Sequence, residues 1–210
     1  MLETNGLLAV PGSKILEPGW LRAQVVAAAR RYRFDRRPAL GVLWWYSASS
    51  VLIGPPVESL LATGTPAHPG LAHLTLLVHP DGRVLDARSD ATLPRDTLGR
   101  HLHATLSATI GAVAEVTAAP PRALWAIATD SLANRVLWAG GTPDVAEELA
   151  AAIGPDLPTP RFTKVCGHLV VRRASCCLIY EAPGIDKCTS CPRQTPEERR
   201  SRLEAAYGGA

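Results

Sequence analysis

Four cysteines crowd the last third of the chain: Cys176 and Cys177 are adjacent, ten residues follow, and Cys188 and Cys191 close the set. Two thiolates three positions apart, as in Cys188-Thr189-Ser190-Cys191, can reach one metal from a tight turn. Pro192 stiffens that turn and removes a backbone donor. The adjacent pair is less usual. Neighbours on a regular strand point to opposite faces, so Cys176 and Cys177 meet at one small site only at a bend or a strand end. Ala182-Pro183-Gly184 is a turn signal that lets the two halves fold back together. Four thiolates suit zinc or iron–sulfur. Adjacent cysteines crowd a single tetrahedral ion and sit more easily on a cluster whose ligands spread over two irons, but spacing alone leaves both open.

The remaining reactive side chains offer less. Cys166 lies outside the pattern and is expected to be a small buried or turn residue. His168 could replace a cysteine ligand, yet four cysteines already suffice. His101 and His103 stand two apart on a helical stretch and so face different ways. Trp44, Trp45 and Trp125 are expected in the core. No GxGxxG or Walker sequence occurs, so nicotinamide, flavin or nucleotide binding by those routes is not expected. Five cysteines in 210 residues are too few for a disulfide scaffold, and their clustering points to a metal in a reducing compartment, the cytosol. The net charge of +3 and 5% aromatic content argue against a nucleic-acid surface.

The elements that must position the cysteines follow from periodicity. Hydrophobic residues at 47% support a real core. The first thirteen residues lack a basic start and an apolar run, so no secretory leader is expected. Trp20 to Phe34 reads as an amphipathic helix. Pro38 opens an uncharged helix that should stop before Gly54-Pro55-Pro56, leaving about 15 apolar-leaning residues where a membrane span needs about 20. It is expected as a buried helix, with a short one from Val57 to Ala62 after it. Ala72 to Val78 and Val84 to Ala87 flank His79-Pro80-Asp81-Gly82 and predict a hairpin. Helices are expected from Asp96, as N-cap, to about Val116, from Pro121 to Ala139, and from a Thr142 cap with Pro143 in first position.

Gly154-Pro155, Pro158 and Pro160 then form a rigid connector. After it, β-formers dominate: Arg161 to Val165 and His168 to Arg173 around a Cys166-Gly167 turn, with a third short strand at Cys176 to Tyr180. Thr195-Pro196-Glu197-Glu198 is a capping box for a last helix, with Glu198–Arg202 and Arg200–Glu204 at pairing distance along it. The fold expected is α+β: a mostly helical body with a β-hairpin over residues 1–160, and a small β-rich cysteine-bearing unit over 161–210 packed on it.

Arg173-Ala174-Ser175-Cys176-Cys177-Leu178-Ile179-Tyr180, followed by Cys188-Thr189-Ser190-Cys191-Pro192, resembles the C-terminal signature of the FhuF-like ferric-siderophore reductases. The close match covers about twenty residues, and it departs where family members often have Gly at the position of Thr189. The resemblance implies a [2Fe–2S] cluster on Cys176, Cys177, Cys188 and Cys191, and reduction of siderophore-held ferric iron with release of Fe(II) in the cytoplasm. The chemistry is consistent: hard oxygen ligands bind Fe(III) far more tightly than Fe(II), so one electron turns a trapped ion into a releasable one.

Electrons would come from a partner such as a ferredoxin, a flavodoxin or a reductase. Ser175, Thr189 and Ser190 are candidates for tuning the cluster through hydrogen bonds to sulfur. Arg172, Arg173, Lys187 and Arg193 are candidates for a basic substrate rim, or for compensating the cluster's negative charge. The competing readings are a structural zinc knuckle in an interaction module, and an iron–sulfur sensor or electron relay.

Overall fold

The computed structural model describes residues 6–208. The chain is mostly helical with two small antiparallel sheets, an α+β fold. The helices are α1 (Pro18–Tyr32), α2 (Arg37–Thr63), α3 (Leu98–Thr117), α4 (Pro121–Trp138), α5 (Pro143–Ile153) and α6 (Pro196–Tyr207). The strands are β1 (Leu8–Pro11), β2 (Leu74–Val78), β3 (Val84–Ser89), β4 (Phe162–Val165) and β5 (His168–Val171). One sheet runs β1-β2-β3 and the other is the β4-β5 hairpin.

Helix α2 is the centre of the molecule because it is apolar over most of its surface, the pattern of a largely buried helix; Tyr46 and Glu58 reach solvent. It packs against α1, α3, α4 and β3. Trp45, Leu52, Ile53 and Val57 are fully buried along it. Each such side chain stabilises the fold by about 1.5–3 kcal/mol relative to exposure. Its two tryptophans also tie elements together: Trp45 Nε1 donates to the Leu124 carbonyl of α4 at 2.8 Å, and Trp44 Nε1 donates to Gly82 at 3.2 Å. Among the described residues no helix is long and apolar enough to cross a membrane.

The expected break at Gly54-Pro55-Pro56 does not occur; α2 runs through both prolines. An internal proline removes a hydrogen bond and costs about 3 kcal/mol. Burial along most of α2 outweighs that, and local contacts brace the site. Arg135 of α4 lies against Gly54, donating from Nε to Ser50 Oγ at 2.9 Å and from a terminal nitrogen to Glu58 at 2.8 Å, so it spans the proline turn. Ser59 Oγ donates to the Pro55 carbonyl at 2.7 Å.

The β2-β3 hairpin forms as the Asp81-Gly82 turn predicts, and β1, which the sequence reading did not anticipate, adds to it along β2. Helix α3 begins at Leu98 instead of after Asp96. Pro94 starts a 3-10 turn over Arg95–Thr97, in which Thr97 Oγ1 donates to the Pro94 carbonyl at 2.8 Å. Thr142 holds the N-cap position of α5, but its side chain makes no capping bond. Cys166 and Gly167 both adopt positive φ (48° and 84°), the twist a two-residue hairpin loop between β4 and β5 requires. The third strand at Cys176 to Tyr180 is absent: Leu178 turns left-handed at φ 62°, and a 3-10 turn, Ile179–Glu181, follows. Thr195 and Glu198 form the capping box of α6. Arg202 does not pair with Glu198 but donates to the Lys187 carbonyl at 2.6 Å, while Arg200 and Glu204 approach to 4.0 Å.

Candidate metal centre

The cysteine segment leaves β5 and crosses the buried face of α4, where Asp130 receives it. The Asp130 carboxylate accepts from the Ala174 amide at 2.7 Å, the Ser175 amide at 3.3 Å and Arg173 Nε at 3.4 Å. Asp130 is 2% exposed. Burial pushes its carboxyl up to about 6, against the pull of the Ala174 amide and the Arg173 guanidinium. Its neighbours on α4 are pinned as well. Ser131 Oγ and Ser49 Oγ of α2 are 2.7 Å apart, and Thr129 Oγ1 donates to the Pro158 carbonyl of the connector at 3.0 Å. One buried polar turn of α4 thus fixes both the connector and the approach to Cys176.

The left-handed Leu178 supplies the bend that adjacent cysteines need. It aims the Leu178 amide back at Cys176 Sγ, 3.4 Å away, and brings the Ile179 amide to Cys177. The other half is a tight turn closed by the Cys191 amide donating to the Cys188 carbonyl at 3.0 Å. Gln194 Nε2 caps the same carbonyl at 2.7 Å, and Lys187 Nζ donates to the Arg193 carbonyl at 3.0 Å. With Arg202 of α6 holding Lys187, the knuckle is braced from both ends.

These two halves bring the four sulfurs together in a chain. Cys176 and Cys191 are 3.5 Å apart, and Cys177 lies within reach of the thiol protons of Cys176 and Cys188. Two thiolates on one tetrahedral metal with bonds near 2.3 Å stand about 3.7 Å apart, so the first distance fits a shared metal. Pairwise approach suits a two-iron cluster better than one ion. Cys176, Cys177 and Cys191 are buried, and Cys188 is half-exposed.

The electrostatics favour a cationic metal core. Hydrogen bonds from the Cys176 and Cys188 thiols pull the Cys177 thiol far below its usual range, against the effect of burial. Cys176 and Cys188 are pushed up by sharing their protons with Cys177 and by desolvation. The bare site therefore concentrates its charge on Cys177, and four neighbouring thiolates require positive metal between them. Arg173 adds a fixed positive charge, with NH1 3.3 Å from Cys188 Sγ and 4.0 Å from Cys177 Sγ.

The expected rim residues divide. Arg173 is buried, not at the surface. Arg172 is exposed but lines a different hollow with Lys164, Arg199 and Arg200. Arg193 is exposed beside the cysteines, and Lys187 is half-buried with its ammonium engaged. A hollow of about 450 Å³ opens against Cys176, lined by Arg36, Val42, Ala123, Leu178, Pro192 and Arg193. Arg36 is shared with Glu181, 3.1 Å away. The Ser175 amide serves Asp130, Thr189 is exposed and Ser190 is half-buried.

Trp44, Trp45 and Trp125 lie in the core. Cys166 is an exposed turn residue, and His168 packs on Tyr207. His101 lies against His68, whereas His103 stacks on Trp125, so the two do not converge. The sequence reading missed Asp130 and Tyr46, whose ring lies 4.7 Å from the Arg173 guanidinium carbon. A lone carboxylate between Thr129 and Ser131 in an otherwise apolar stretch was the available signal.

No curated protein matches the chain. Residues 173–193, which run from the buried arginine through the second cysteine pair, match the FhuF 2Fe-2S C-terminal domain. Over this segment the chain is similar to iron–sulfur proteins of the FhuF type, and its cofactor is a [2Fe–2S] cluster.

Proposed function

We propose that this chain is a one-electron reductase of ferric siderophores, with Cys176, Cys177, Cys188 and Cys191 as the ligands of its cluster. The observation that carries the reading is the gathering of four cysteine sulfurs beside an open hollow edged by Arg36 and Arg193. When bound, the cluster supplies single electrons, which is the quantity needed to convert Fe(III) to Fe(II). The protein's own residues do the rest. Leu178 and Val42 give the hollow an apolar wall, and Arg36 and Arg193 offer charge to the carbonyl oxygens and negative groups of a siderophore. Burial of Cys176, Cys177 and Cys191 keeps water from most of the site, while half-exposed Cys188 leaves one edge near the surface.

In the same reading, residues 161–210 form a C-terminal unit held on the 1–160 body through Asp130. An external ferredoxin, flavodoxin or reductase supplies the electrons, and the work takes place in the cytoplasm. The test is anaerobic. Protein reduced by dithionite and then desalted is mixed with ferric hydroxamates and catecholates in the presence of ferrozine. One Fe(II) should be trapped per reduced cluster. Reduced protein that stays reduced and releases none contradicts the proposal.

A further inference from the structure

Arg173 is the least ordinary side chain near the cysteines. Its side chain is 4% exposed, and the side chain of its carboxylate partner Asp130 is 3% exposed. A guanidinium carries five N–H donors in a fixed fork. Nε faces Asp130 at 3.4 Å, and NH1 faces Cys188 Sγ at 3.3 Å and Cys177 Sγ at 4.0 Å. The Tyr46 ring covers one face of the group. NH2 is buried and has no hydrogen-bond partner among the described residues. An unpaired buried donor on a charged group is costly, and such a group calls for an acceptor at that place. NH1 of the same guanidinium already points at two cysteine sulfurs, so the missing acceptor belongs with them.

We propose that Arg173 is a positioning residue that donates to the cluster's sulfur atoms and acts as its internal counter-cation, raising the reduction potential. The proposal rests on the ligand assignment given above and does not depend on which oxidant the protein serves. Four thiolates and two sulfides around two ferric irons leave a net negative group, and reduction adds one more negative charge. A fixed cation at hydrogen-bond distance stabilises the reduced state more than the oxidised one. Its burial keeps this effect out of reach of salt, unlike that of surface cations. Asp130 holds the guanidinium at this angle while its own charge offsets part of the effect.

The experiment is a mediated dithionite titration of the purified, cluster-loaded protein, followed by visible absorbance, with no siderophore present. Arg173→Gln should lower the equilibrium constant for reduction at least tenfold, ~59 mV for one electron. Arg173→Lys, which keeps the charge, should recover most of that shift. Lys164→Gln, at an exposed cation of β4 away from the four clustered cysteines, should leave the potential unchanged. Asp130→Asn, which keeps an acceptor for the Ala174 amide but removes a negative charge, should move the potential the opposite way from Arg173→Gln.

Each loss in Arg173→Gln should persist when salt is raised from low to 0.5 M. An unchanged potential in loaded Arg173→Gln overturns the proposal, as does one that shifts only at low salt. If Arg173→Gln does not load, the Asp130→Asn and Arg173→Lys potentials decide: Asp130→Asn at or below wild type, or Arg173→Lys tenfold or more below it, overturns the proposal. Because no siderophore is present, these results stand apart from the success or failure of the reductase reading.

Discussion

A change of one sulfur to oxygen separates the proposed ligands from the fifth cysteine. Replacing any one of Cys176, Cys177, Cys188 or Cys191 by Ser should abolish or badly destabilise the cluster, whereas Cys166→Ser should leave it whole, because Cys166 sits in the exposed β4-β5 turn. Visible absorbance with iron and sulfide analysis checks both halves. A normal spectrum in Cys188→Ser, or a lost one in Cys166→Ser, contradicts the assignment.

Asp130 gives a second prediction at this scale, in the cluster-free protein. Burial raises its carboxyl to about 6, above the ordinary 3.8 that it regains on unfolding. Between these values the native state binds the extra proton, so this group's contribution falls as pH rises from about 4 to 6 and is level above that. Asp130→Asn should therefore gain on wild type across that window, by on the order of 3 kcal/mol. Urea titrations at pH 4, 5, 6 and 7 measure the difference; a constant offset across the series refutes it.

The same residues show how far the sequence could be read. The four cysteines stood out because their spacing is a local pattern. Arg173 was legible only as one of four cations for a rim or for charge compensation; its burial against Asp130, forty-three positions earlier on another helix, was not. A partner set by tertiary packing leaves no mark in local spacing.

At the scale of elements, two glycines of α3 make opposite predictions. Gly99 lies against the Ala152 backbone of α5, with no room for a Cβ, and Gly111 faces open space on the exposed side. Gly99→Ala should destabilise by about 1–3 kcal/mol through overpacking. Gly111→Ala should stabilise by about 0.5–1 kcal/mol, since it restricts the unfolded chain and adds nothing to clash. Thermal or urea unfolding of the pair checks the signs, and the same sign for both contradicts the packing described.

Element types were legible where the signal was local: the Asp81-Gly82 hairpin, the Thr195–Glu198 capping box and the Cys166-Gly167 turn all rest on residues within a few positions of one another. Helix α2 was misread as two helices because the proline penalty is local while its compensation, burial along most of the helix and the Arg135 brace, comes from elsewhere in the fold. Strand β1 was missed for a similar reason, as its four residues are defined by pairing with β2 and not by a period of their own. The expected strand at Cys176 to Tyr180 gave way to the left-handed Leu178, which the geometry of adjacent cysteines demands.

At the scale of the whole molecule, the cysteine segment depends on the helical body. The Asp130 carboxylate, three hydrogen bonds deep in that segment, sits on α4, and Arg36 beside the hollow belongs to the stretch leading into α2. A fragment from residue 161 onward has a small core and lacks both, so it should not fold around a full cluster alone. Reconstitution of that fragment, read by visible absorbance, tests the dependence; a complete cluster in the isolated piece contradicts it. The hollow also predicts charge-selective docking. Arg193→Gln together with Arg36→Gln should slow transfer to anionic siderophores more than to neutral ones, and added salt should shrink the difference.

The central claim, one-electron delivery to siderophore-bound iron, is tested most directly by anaerobic stopped-flow mixing of the reduced protein with a chemically broad set of ferric siderophores, following recovery of the oxidised visible spectrum. Recovery that accelerates with siderophore concentration and outpaces buffer alone is the expected result. Recovery no faster than in buffer across the whole set would contradict the reductase account and leave a sensor or an electron relay to another protein in its place.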